Sequence, residues 1–133
     1  MSKELYQEQI LDHYHHPHNF GELKNPDERV EGANLSCGDE IVVTVNYDDD
    51  TVNEIGFSGN SCAICTAAAS MLTDELIGKS VSEISDLKTK DILQLIGIEL
   101  SPIRLKCALL PLETVKCLKR VGAHLQRPAL VQN

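Results

Sequence analysis

Tryptophan is absent from this 133-residue chain, and two phenylalanines and three tyrosines are its only other large rings. The core must therefore be built from Leu, Ile, Val and Ala. Basic residues are scarce as well: 12 Lys and Arg stand against 20 Asp and Glu, a net charge of −8. A surface of that sign does not neutralise phosphates, which argues against nucleic acid as a partner. It suits a protein that docks on basic patches of other proteins. No stretch is long and apolar enough to span a membrane, and the start lacks the charged-then-apolar plan of a signal peptide. There are no internal repeats and no low-complexity tracts. The expectation is one cytoplasmic domain over residues 1–133, with a modest core and no membrane partner.

What the chain does have is five cysteines. In a reducing compartment these are ligands or reactive thiols sooner than a disulfide framework. Residues 3–16 read as a helix, with Leu5, Ile10, Leu11 and Tyr14 on one stripe, and Pro17 ends it. His18 to Gly21 is a turn, and residues 22–36 show no clean period and read as a loop. The β-branched run of 40–47, the polar Asp48-Asp49-Asp50 tip and residues 51–58 predict an antiparallel hairpin. An alanine-rich helix follows over about 63–77, stopped by Gly78. Shorter helices are expected at 81–87 and 89–96, the second capped by Thr89 and closed by Gly97. A last helix should run from Lys106 or Pro111 to about Leu125, with Pro111 tolerable only in its first turn. The tail around Arg127-Pro128 is expected to fray. A hairpin followed by helices is the order of an α+β domain.

Three cysteines and one aspartate sit beside turns or helix starts: Cys37 with Asp39 across Gly38, Cys62 after Gly59-Asn60-Ser61, and Cys107 after Arg104 and Lys106. Three thiols and a carboxylate suit a soft metal or an iron–sulfur cluster. The carboxylate gives the harder, more labile bond. For Cys37 and Asp39 the plainer alternative is a turn holding a buried cysteine and an Asx hydrogen bond. Cys62 stands at a strand-to-helix junction, where the helix N-terminus favours thiolate. Cys65 completes a Cys-x-x-Cys, which is read as a redox pair, as half a zinc site, or as a small buried residue; burial is the favoured reading. Cys117 faces another side of its helix from Cys107 and is assigned to the core. His13, His15, His16 and His18 form a cluster read as a surface patch or N-terminal docking element.

Together these segments resemble the iron–sulfur cluster assembly scaffold family of the IscU, SufU and NifU N-terminal-domain type. The resemblance runs over nearly the whole chain, from Tyr6 and Ile10-Leu11-Asp12-His13-Tyr14 through Pro17, Asn19 and Gly21 to Ser36-Cys37-Gly38-Asp39. It continues with Phe57, Gly59, Cys62-Ala63-Ile64 and Arg104-Leu105-Lys106-Cys107-Ala108. It implies an α+β fold of the SufE/NifU type, a small antiparallel sheet (the hairpin plus a short third strand) packed on several helices. It implies a [2Fe–2S] cluster on Cys37, Asp39, Cys62 and Cys107, built with sulfur from a cysteine desulfurase of the IscS, SufS or NifS type and handed to apo-protein or carrier acceptors. Cys107 is then the persulfide acceptor, Asp39 a labile ligand or base, and the working form a monomer or a cluster-bridged dimer.

The chain departs from the family pattern at several positions. IscU proteins carry histidine where Lys106 stands; SufU-type proteins have a basic residue there, and many hold zinc while accepting sulfur. The resemblance thus implies an alternative, a Zn2+-bound sulfurtransferase that activates a desulfurase, although the short interval from Cys62 to Cys107 is that of IscU. Lys106 is assigned an electrostatic role. The IscU chaperone motif is matched only loosely by Leu100-Ser101-Pro102-Ile103-Arg104, which weakens the implication of Hsp70-type handling. Ser61 replaces a usual glycine, and Cys65 a usual serine or threonine, so Cys65 carries a minority assignment as an extra ligand or a resolving thiol. Either way the chain reads as a carrier rather than a turnover enzyme.

Overall fold

Ser2 caps the first helix through its hydroxyl, which accepts the Leu5 amide, and α1 runs Lys3–His15 to the expected stop before Pro17. The computed structural model describes residues 2–119. Three antiparallel strands follow in the order β1-β2-β3: β1 (Glu28–Asn34), β2 (Asp39–Asp48) and β3 (Thr51–Ser58). The hairpin has its predicted limits, with Asp49 at φ +58° in the turn. The third strand lies inside the stretch 22–36 read as a loop. The resemblance implies such a short third strand, but local pattern does not place it there: β1 is an edge strand on which only Val30 is fully buried, so its sequence carries no apolar alternation.

The helices α2 (Ala63–Leu76), α3 (Val81–Ser85), α4 (Thr89–Ile96) and α5 (Pro102–Val115) complete the domain. Ten of the fourteen α2 residues are buried, and its alanines let neighbours approach on all sides. α1, α4 and α5 pack around it, and α5 also lies on β1 and β2. Gly32 marks that approach: a Cβ there would sit 2.0 Å from the Thr114 hydroxyl of α5.

Two helix starts differ from expectation. Thr89 is the first residue of α4, not its cap; Lys88 is the cap residue, and its amide donates to Asp91. α5 starts a turn earlier than expected, at Pro102, with Ser101 accepting the Arg104 amide. Pro111 therefore lies in the helix interior, which sequence reasoning had disfavoured. It is buried, and core packing offsets the lost helix bond. The expected extension to Leu125 and the tail beyond it lie outside the described residues.

The histidines do not form one surface patch. His13 is buried, with Nδ1 2.7 Å from the Ser70 hydroxyl, and its ring centroid is 4.6 Å from that of His18. His18 Nδ1 lies 2.6 Å from Asp74, and Asn19 donates to Thr73 and Asp74. This network ties the end of α1 to α2, while His15 and His16 remain exposed. Cys117 is half-buried against the core.

Candidate metal and cluster site

Side chains alternate along a strand, so Asp39 shares the face of Ile41, Val43 and Val45, all buried under the helices. A carboxylate at that position points into the domain and is 6% exposed. Its Oδ1 accepts the backbone N–H of Cys62 at 3.0 Å. Its Oδ2 has no partner and is, among the described residues, the one buried side-chain oxygen or nitrogen in that condition. A buried charged oxygen left unpaired is costly, and a cation is the simplest group that would satisfy it.

Cys37 reaches the same place from the β1–β2 turn. The Gly38 amide bonds back to Asn34 and Gly38 takes φ +78°, a conformation glycine adopts freely. Gly59, at φ +139°, brings the following loop against β2 so closely that a Cβ would lie 2.1 Å from the Glu40 carbonyl oxygen. That contact sets Cys62 as the N-cap of α2, half-buried, with its sulfur accepting the Cys65 N–H at 3.4 Å. Cys107 arrives from α5 and is buried, its sulfur 3.8 Å from that of Cys37.

The ligand atoms of Cys37, Asp39 and Cys107 lie within 4.8 Å of one another. Cys62 falls outside that group but adjoins it through its backbone amide, which donates to Asp39 Oδ1. Burial, followed by the neighbouring thiols of Cys62 and Cys37, holds the Cys107 thiol well above the usual cysteine range. Cys65 is fully buried, and burial pushes its thiol up to about 12. Lys106 is exposed and lines a groove of about 400 Å³ beside the site, with Ala33, Asn34, Leu35 and Glu113.

The hydroxyl pair Ser61–Thr66, 2.9 Å apart beside Cys62, went unnoticed in the sequence. Nothing in residue type marks it; only the first turn of α2 brings the two together. The inward aim of Asp39 had a signal, since extending the alternation of 41, 43 and 45 by one step reaches it.

Fold and site define a small α+β domain that gathers thiols and one buried carboxylate around a place suited to a thiophilic metal or an iron–sulfur cluster. The chain belongs to the NifU-like N terminal domain family, whose profile it matches over residues 5–124. It is 32% identical over 137 aligned positions to the iron–sulfur cluster assembly scaffold protein IscU of Thermotoga maritima, covering 90% of this chain and 96% of that protein. A second scaffold protein IscU, from Streptococcus pyogenes, is 46% identical over 79 residues, 59% of this chain and 49% of that protein, so that match spans about half of its length. The zinc-dependent sulfurtransferase SufU of Bacillus subtilis is 37% identical over 123 residues, covering 80% and 83%. Among solved structures, a candidate iron–sulfur cluster assembly scaffold for the SUF system from Fervidobacterium islandicum superposes with a TM-score of 0.73 at 27% identity, over 87% of this chain and 97% of that one.

Proposed function

We propose that this protein is an iron–sulfur cluster assembly scaffold that accepts sulfur from a cysteine desulfurase, builds a [2Fe–2S] cluster and passes it to apo-proteins in the cytoplasm. The observation that carries the reading is Asp39: a buried carboxylate with one unpartnered oxygen, within 4.8 Å of two thiol sulfurs that come from distant parts of the chain. Cys37, Cys62 and Cys107 hold the cargo and Asp39 supplies the hard, labile fourth bond. In the sulfur step the Cys107 sulfur attacks the outer sulfur of the desulfurase persulfide, and the desulfurase cysteine leaves as thiolate. Exposed Lys106 and Arg104 attract that anionic persulfide toward the site. Cys37, on an exposed turn, is the ligand that an acceptor reaches first.

Anaerobic purification followed by assay of iron, zinc and acid-labile sulfide tests this. Iron and sulfide in equal amounts, with charge-transfer bands lost in a Cys37→Ala variant, are expected. Zinc alone, with no cluster formed from desulfurase, cysteine and ferrous iron, would favour a second reading as a zinc-bound sulfurtransferase. That alternative rests on the likeness to the Bacillus subtilis protein and on Lys106. The same three cysteines and Asp39 suit tetrahedral Zn2+, which would hold the thiols as thiolates. Stimulation of desulfurase turnover by the zinc form is its distinguishing result.

A further inference from the structure

Cys65 is the one thiol beside the site that the scaffold reading leaves without a task. It is fully buried, yet its backbone N–H points at the Cys62 sulfur from 3.4 Å away. Cys62 is the N-cap of α2 and Cys65 the third residue inside it. A half-buried thiol at the cap with a second thiol buried one turn behind is the arrangement that lets a Cys-x-x-Cys close into a disulfide with little backbone movement. The unpartnered, buried Oδ2 of Asp39, whose other oxygen holds the Cys62 amide, marks the same helix start as a place where a cation or polar sulfur species is received.

We infer that Cys62 and Cys65 form a persulfide-resolving pair that releases sulfide inside the site. This deepens the scaffold reading and rests on it. Sulfane sulfur reaches Cys62 from a donor directly or from Cys107, which shares with Cys37 and Asp39 the site that the Cys62 amide adjoins. In the relay, the Cys62 thiolate attacks the outer sulfur of the Cys107 persulfide and Cys107 leaves as thiolate. The Cys65 sulfur then attacks the Cys62 sulfur. The Cys62–Cys65 bond forms, the bond from Cys62 to the sulfane sulfur breaks, and its electron pair leaves with that sulfur. The proton of Cys65 goes with it, so the product is hydrosulfide. Sulfane sulfur is thereby reduced to the oxidation level a cluster needs, at the expense of two cysteine thiols oxidised to a disulfide. A dithiol reductant of the thioredoxin class resets the pair by exchange.

The test uses the full chain, reduced and metal-free, treated with one equivalent of glutathione persulfide, so that no desulfurase is required. Hydrosulfide is trapped with a bimane reagent, and the alkylated chain is mapped by mass spectrometry. Wild type is expected to release hydrosulfide and to yield a Cys62–Cys65 disulfide peptide. Cys65→Ser is expected to keep a persulfide on Cys62 or Cys107 and to release hydrosulfide at least about tenfold more slowly. Equal release by both forms would overturn the inference, as would a disulfide joining Cys62 to Cys37 or Cys107. Because Cys65 is buried, circular dichroism accompanies the variant, and the wild-type peptide map decides the matter if Cys65→Ser does not fold. Persulfide retained on wild type without disulfide would sink the inference and leave sulfur acceptance standing. A chain that takes up no sulfane sulfur at all would sink both.

Discussion

Replacing Asp39 by alanine separates a structural carboxylate from one held for cargo. In the metal-free protein the variant loses the bond from the Cys62 amide to the carboxylate Oδ1, worth about 1.5–3 kcal/mol. It also removes Oδ2, which is buried without a partner and costs about 1–3 kcal/mol or more. The two largely cancel, so stability should change by no more than about 2 kcal/mol. Urea denaturation followed by circular dichroism, with a chelator and a thiol reductant present, measures the difference. A loss above about 3 kcal/mol, the scale of a broken buried pair, would mean that the carboxylate is satisfied by the fold and refute the argument. Once cargo is loaded, the same substitution should lengthen its retention against a chelator by roughly threefold or more, a rise in barrier of about 0.6 kcal/mol or more. Faster loss would contradict the labile-ligand assignment.

Gly59→Ala should cost about 3 kcal/mol or more, because φ is +139° and the new Cβ would meet the Glu40 carbonyl at 2.1 Å and the Ile41 Cα at 2.8 Å, backbone atoms that cannot swing aside; a loss under about 1 kcal/mol in urea would contradict the geometry. Gly97→Ala meets the Tyr6 ring at 1.9 Å with φ +75°. It should cost about 2–3 kcal/mol alone and about 1 kcal/mol in a Tyr6→Ala background, and a double-mutant cycle with no coupling would rule out the α1–α4 contact. His13 has its pKa lowered, by burial first and then by the charge of His18, with Asp74 and Asp12 opposing. Its folded value lies below the unfolded 6.5, so the unfolded chain binds more protons between the two. Stability is full above the unfolded value and falls as pH drops from there through the folded one. His13→Gln should flatten that slope in urea midpoints taken across the window, and an unchanged slope would assign it to another group.

The hairpin, α2 and the order of elements were legible because their signals are local: β-branched alternation, a polar turn, a run of alanines. The edge strand β1 was not, since Glu28, Arg29 and Glu31 give it the charged surface of an unpaired edge and only its register with Val43 and Val45 makes it a strand. At the site, residue type singled out Cys37, Asp39, Cys62 and Cys107, while the meeting of Cys37, Asp39 and Cys107 depends on contacts between α5 and the sheet that no local pattern encodes. Burial of Cys65 was anticipated from its alanine-rich surroundings. Its placement one turn behind the Cys62 cap follows from the helix starting at Ala63, which the sequence did indicate.

Pro111 is where local reasoning and the structure part most clearly. A proline in a helix interior costs about 3 kcal/mol or more, which is why the last helix was expected to begin at Lys106 or Pro111, with Pro111 tolerable only in its first turn. Instead Ser101 and Pro102 supply a sound start, and Pro111 is carried inside. Lacking an N–H, it gives no bond to the carbonyl four residues earlier, and that carbonyl belongs to Cys107. The helix is thus weakened at the residue whose sulfur faces Cys37, while burial of Pro111 with Leu110, Leu112 and Val115 offsets the cost. Local rules are broken in a folded chain most often where a site needs freedom, and here the break adjoins the one ligand candidate that the last helix contributes.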